Sequence, residues 1–332
     1  MTGKATVRPD PWRWAAVALS ALCGVAACAS AGAQAPLALD RTIPLAGVKG
    51  RIDHLAVDVA GQRLFVAELG NGSVEAIDLR SGKSLGRITG LAEPQGLAYL
   101  ADRDELAVAN GGDGTVRFYK AADLAPAGMV RVGDDADNLR IDTRSGRLVV
   151  GYGDGALATI DPASRKVVSE LKLPGHPEGF RLDGPKAFVN VPDAGAIVAG
   201  DIDQGRVTAT WKADHRWNFP MALDGNGALV TVYRLPARLA VMADGAVRGD
   251  VSTCGDADDV FVDGRRQRFY VVCGSGDVEV RSSTPPYASL GRAKTRSGAR
   301  TGLFVPEQDR LFVAARAAGS AEAAILVFKP IV

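Results

Sequence analysis

Long apolar runs are missing from nearly all of this 332-residue sequence. Past residue 36 no stretch reaches the length that spans a bilayer, which excludes a membrane helix from the body of the chain. An excess of one charge is missing too. The 39 basic and 38 acidic side chains leave a net charge of +1 with no basic run, so sequence-independent nucleic-acid binding has little electrostatic support. There is no Gly-x-Ser-x-Gly elbow and no His-Glu-x-x-His helix, the signatures of two common hydrolase scaffolds. The Gly151-Tyr-Gly153 match has no following helix to complete a dinucleotide site. Histidine is scarce, at three residues, and cysteine amounts to four.

What the chain has in abundance is a short repeat. Residues 51 to 90 hold four apolar runs, Leu55 to Asp58, Leu64 to Ala67, Val74 to Ile77 and Leu85 to Ile88, separated by Gly, Asp, Asn, Ser and Gln. Such runs are too short for helices and read as antiparallel strands joined by tight turns. The first run recurs at residues 97, 139, 180, 221, 260 and 303, at spacings of 42, 42, 41, 41, 39 and 43. A glycine precedes the third run at Gly72, Gly114, Gly155, Gly195 and Gly276, where a hairpin turn needs positive φ. Seven copies of a four-stranded unit predict an all-β fold, a seven-bladed β-propeller.

The ends of the chain complete this picture. Lys4, Arg8 and Arg13 precede the apolar stretch Trp14 to Ala27, which reads as an export signal. Two processing routes stay open. In one, residues 1–33 form a signal peptide cut after Ala31-Gly-Ala33; in the other, Val25-Ala-Ala-Cys28 is a lipobox and Cys28 carries the lipid. Residues 34–40 are then a linker and residues 41–332 the propeller. Arg41 to Gly47 resembles a fourth-strand segment, while the last repeat stops after its third strand, Ile325 to Phe328. The N-terminal segment is therefore expected to complete the last blade and cover its open edge. Cys254 and Cys273 fall at one end of the sixth blade. A disulfide there, natural in an oxidising compartment, would contribute about 3 kcal/mol by restricting the unfolded chain.

In a propeller the loops leading into each first strand converge on one mouth of the central channel. Here they carry Asp53 and His54, Gln95, Asp137 and Asn138, Glu178, Asn218, Asp258 and Asp259, and Arg300. The three histidines, His54, His176 and His215, all fall in these loops. Turns on the same side bring Glu68, Asn110, Tyr152, Asn190, Tyr233 and Arg234 to the rim. Polar side chains converging on a concave mouth mark a binding site; singly, each equally serves to cap a turn or bond neighbouring backbone. His54, Gln95, Asn138, His176, Glu178, Asn218, Asp259 and Arg300 are the expected ligand contacts, with Arg300 holding an anionic group. A metal is a further option, through His176, His215 and Glu178 or through Asp256, Asp258 and Asp259; no cofactor is assigned.

Arg51-Ile-Asp-His-Leu-Ala-Val-Asp58, Glu93-Pro-Gln-Gly96, His176-Pro-Glu-Gly-Phe180, Phe188-Val-Asn-Val-Pro-Asp193, Asn218-Phe-Pro-Met-Ala-Leu-Asp224 and Gly298-Ala-Arg-Thr301 resemble the bacterial YncE-type proteins of the YVTN β-propeller superfamily. The likeness spans about residues 40 to 330. It implies a periplasmic or surface-attached seven-bladed propeller, in a family whose members mostly have no assigned reaction. The superfamily's Tyr-Val-Thr-Asn signature is degenerate here, nearest in Phe188-Val-Asn-Val191 and Ala107-Val-Ala-Asn110. Together these features point to an exported, monomeric, non-catalytic binding module for a small polar or anionic ligand or a periplasmic or envelope protein. It touches the membrane only if Cys28 is lipidated. The alternatives are a lactonase- or lyase-type enzyme using His54 or His176 as base, and an envelope scaffold.

Overall fold

The computed structural model describes residues 1–5 and 35–331. The apolar leader, its cleavage site and the Cys28 lipobox lie outside the described residues. From Ala35 onward the chain forms one unit of seven four-stranded antiparallel sheets, each a blade. Blade one takes Leu55–Asp58, Arg63–Glu68, Ser73–Asp78 and Lys83–Thr89, the four runs that define the repeat. Its first two strands pair Leu55 with Val66 and Asp58 with Arg63. Blade three repeats this with Leu139 and Val150, and blade four with Phe180 and Val189. In blade seven the residue opposite Val313 is Gly302. The last first strand is thus in register one residue earlier than the expected start at Leu303.

Burial follows from each blade having a neighbour on both faces. The second strand of blade one has Leu64, Phe65, Val66 and Ala67 all at 0% exposure. A strand covered on both sides needs apolar residues at every position rather than alternate ones. Fourth strands form the outer rim, and Lys83–Thr89 accordingly has an exposed pattern. Seven apolar clusters each join adjacent blades: Phe65 and Leu106 belong to the one between blades one and two, and Phe188 and Met221 to that between four and five. An eighth, small cluster of Ala213, Tyr233 and Ala240 sits at blade five.

Ring closure is made by the N-terminal strand, Leu37–Pro44, which pairs antiparallel with Ala324–Pro330. Ile43 faces Ile325 and Leu37 faces Pro330. The strand takes in residues 37 to 40, which the repeat pattern alone leaves in a linker. Leu45 N–H donates to Ala323 O at 2.8 Å and Ile331 N–H to Pro36 O at 2.9 Å, extending the clasp at both ends. The five turn glycines all have positive φ, from 58° at Gly195 to 150° at Gly155. At Gly155 a Cβ would also lie 2.5 Å from Leu173 O, so both conformation and space demand glycine there. Cys254 and Cys273 form a disulfide, with Cα atoms 5.9 Å apart. Among the described residues no helix is long and apolar enough to cross a membrane.

Candidate functional site

The first strands of the blades run inward from one mouth, and their entry loops meet the turns between second and third strands there. Gly70 N–H donates to Arg51 O and Gly153 N–H to Asp134 O, both at 2.8 Å. Polar side chains brought together this way line a cavity of about 310 Å³ at the mouth, among them Gln95, His176, Glu178 and Arg300. It narrows to a waist of about 30 Å³ lined by His54, Asn138, Glu178 and Asp259. Seven of the eight expected contacts therefore lie on one channel.

Asn218 does not. The pairing between its strand, Arg216–Leu223, and the next shifts register between Asn218 and Met221. The resulting bulge puts Phe219 and Pro220 on the channel wall and leaves Asn218 fully buried behind it. There its Nδ2 donates to Asn190 Oδ1 and to Ala196 O, each at 3.0 Å. Its role is to tie blade five to blade four. Glu68, Asn110, Asn190 and Tyr233, expected at the rim, are buried as well.

An ion-pair lattice lines one side of the mouth. Arg300 Nε lies 2.8 Å from Asp258 Oδ2 and its Nη1 donates to Asp256 Oδ1 at 3.2 Å. Arg234 also pairs with Asp258, donates from Nε to Ala257 O at 2.9 Å, and stacks its guanidinium 4.0 Å over the Phe219 ring. Arg51 donates to Asp53 Oδ2 at 3.1 Å. Arg300, expected to clamp an anion, is thus already neutralised by two carboxylates.

The cations without such partners lie deeper. Arg140 and Arg181 occupy the second position of the first strands Leu139–Asp142 and Phe180–Asp183, and both line the waist. Arg140 donates to Leu139 O at 2.6 Å and Asn138 Oδ1 at 3.1 Å; Arg181 donates to Phe180 O at 2.8 Å. Among the described residues neither guanidinium forms an ion pair. The aligned positions hold Ala56, Ala98, Ala222, Phe261 and Leu303. Two arginines in a column of apolar residues are the signal that the loops drew attention away from.

Burial dominates the ionisation of the waist. It pushes Glu178 up to about 7, with Asp258 adding to the rise, and Asp259 up to about 7 although Gly302 N–H donates to its Oδ2 at 2.8 Å. Asp137 is raised well above the usual carboxylate range by burial and by Asp53, and its Oδ1 is buried with no partner among the described residues. Burial and then Arg140 hold Arg181 down to about 9. The same two causes take His54 down to about 3. An imidazole held that low is a weak base at neutral pH.

The other two histidines separate. His176 Nδ1 donates to Gly153 O at 2.7 Å at the mouth, whereas His215 Nε2 bonds Asp250 Oδ2 at 2.8 Å on the outer strand of its own blade. They do not share a site. Among the described residues no group of three His, Cys, Asp or Glu side chains converges as a metal ion requires.

Below the waist the channel changes character. A chamber of about 320 Å³ continues from Arg140 and Arg181 and is walled by Ala56, Ala98, Ile141, Phe261 and Leu303.

No protein-family model matches the chain, and no curated protein matches it. Solved structures do. The structure of U3-55K aligns with a TM-score of 0.76 at 12% identity, over 88% of this chain and 98% of its own. The crystal structure of RRP9 WD40 repeats gives 0.76 at 12%, over 90% and 98%. Kuenenia stuttgartiensis hydrazine synthase gives 0.70 at 16%, over 81% and 94%. At such identities the likeness shows the fold alone: this chain is a seven-bladed β-propeller with WD40-like structural neighbours.

Proposed function

We propose that the protein is a binding module that takes a small anionic ligand into its central channel, with the acidic group against Arg140 and Arg181. One observation carries this reading: two guanidiniums enclosed at the waist without an ion pair among the described residues. Enclosing a cation is costly unless an opposite charge compensates it; Asp259 lines the same waist, but burial raises it to about 7, so near neutral pH it offsets two enclosed cations only in part. A bound carboxylate or phosphate supplies that charge and matches the fork of each arginine. Asn138, Glu178, Asp259 and the neutral His54 surround the same space and would orient the ligand. Asp137 Oδ1, buried and unpartnered, would accept from a ligand hydroxyl. The mouth residues Gln95, His176 and Arg300 line the entry.

Catalysis has weaker support, because His54 is a poor base in this setting. The resemblance of the mouth motifs to YncE-type propellers, and the basic and apolar leader, support placing the module in the periplasm or on the cell surface. The test is calorimetric titration of purified protein with acetate, octanoate, succinate and phosphate. Binding of at least one, lost in a folded R140Q/R181Q variant, is expected. Absence of binding by every anion tested, octanoate included, or binding unchanged in the variant, would overturn the reading.

A further inference from the structure

We infer that the anion held at this waist is the head of an amphipathic monocarboxylate, whose alkyl or aromatic body occupies the apolar chamber beyond Arg140 and Arg181. The inference rests on the anion-binding reading above and specifies the ligand class. Its basis is the asymmetry of the channel about the two arginines. On the mouth side stand Asp135, Asp137, Glu178 and Asp258, while the arginines there, Arg51, Arg234 and Arg300, are already paired with Asp53, Asp256 and Asp258. A second negative group on the ligand, directed that way, would face these carboxyls at close range. On the far side His54 and Asp259 stand with the two arginines at the waist end, and beyond them Ala56, Ala98, Ile141, Phe261 and Leu303 offer carbon surface.

A chamber of about 320 Å³ lies at the small end of the roughly 300–1,000 Å³ range of ligand pockets. The waist itself, about 30 Å³, has room for little more than a head group. The first-strand geometry makes the division unavoidable. Each strand begins at the mouth, so its opening residues bring polar loop chemistry, while the residues that follow are the sheet's own apolar positions. Arg140 and Arg181 stand where the two meet, and a ligand matching both sides has an acid at one end and carbon at the other.

The test is a calorimetric series on the intact chain: acetate, butyrate, hexanoate and octanoate, with benzoate, succinate, inorganic phosphate and octanol as comparisons. Affinity is expected to rise about fourfold for each added CH₂ up to the length the chamber holds. Benzoate should bind more tightly than acetate, and succinate and phosphate more weakly than octanoate. A flat series, or succinate or phosphate binding more tightly than octanoate, overturns the amphipathic ligand while leaving the anion reading in place. Octanol binding as tightly as octanoate overturns the role of the acid head. Binding by none of the anions removes both readings together.

Discussion

Asn218 Nδ2 donates to Asn190 Oδ1 at 3.0 Å, joining the first strand of blade five to the second strand of blade four. Asn190 in turn donates to Pro220 O at 3.1 Å and Thr231 Oγ1 at 3.0 Å. The amides form a buried seam between blades, and such groups are costly to leave unpaired. Replacing Asn218 by Ala should therefore lower stability by about 1–3 kcal/mol, measured by urea unfolding. Anion binding by the folded variant should be unchanged.

Stability should fall as pH rises from the ordinary carboxylate range to about 7. Glu178 and Asp259 are raised to about 7 in the fold, so the folded state keeps protons that the unfolded chain releases. Their contribution is complete in acid, is lost as pH climbs through about 7, and changes no further above it. His54, depressed to about 3, acts oppositely: its contribution is present above its ordinary pKa and is lost as pH falls. The difference between wild type and E178Q isolates one carboxyl. Between pH 5 and pH 8 the wild type should lose roughly 1–3 kcal/mol more than the variant.

Anion affinity should follow the same groups. Protonating Glu178 and Asp259 removes negative charge beside Arg140 and Arg181, so an acetate or octanoate titration should show several-fold tighter binding at pH 6 than at pH 8. D259N should flatten that dependence.

The Cys254–Cys273 bond closes a loop with a sequence separation of 19. Reduction, or a C254S/C273S variant, should cost about 3 kcal/mol through the freed unfolded chain, read as a lower urea midpoint. Because both sulfurs lie in the core between blades five and six, the fold itself should persist.

Two leucine-sized side chains on the closing strand separate burial from mere presence. Ile43 is 2% exposed and Leu39 is 55% exposed. I43A should lose about 2–5 kcal/mol, whereas L39A should stay within about 0.5 kcal/mol. Thermal unfolding of the two variants side by side checks it.

The ring, the blade number and the closing strand were legible because repeat spacing and strand pairing are both matters of sequence order. Register was less so: Leu303 and Phe304 are equally apolar, and only pairing with the next strand puts Gly302 in line with Leu55. The mouth was legible as a set of loops, but not which side chains remain unpaired within it. Asn218 looks like its neighbours in sequence and is turned inward by a bulge. Arg300 looks like a free cation until Asp256 and Asp258 are brought to it by folding. Arg140 and Arg181 were visible as departures from an apolar column, yet they sit inside strands, where apolar neighbours suggest core rather than site.

The pairing of Leu37 with Pro330 also sets a timetable. Strand Leu37–Pro44 is among the first parts of the ring to be made, and its partner Ala324–Pro330 is the last. At about 5–20 residues per second a ribosome takes roughly 15 to 60 s to pass from one to the other. Until that last strand is present the seventh sheet cannot pair with Leu37–Pro44, and the channel that holds Arg140 and Arg181 has no complete wall. The ring closes only when the final strand arrives, so deleting Ala324–Pro330 would leave the N-terminal strand without its partner.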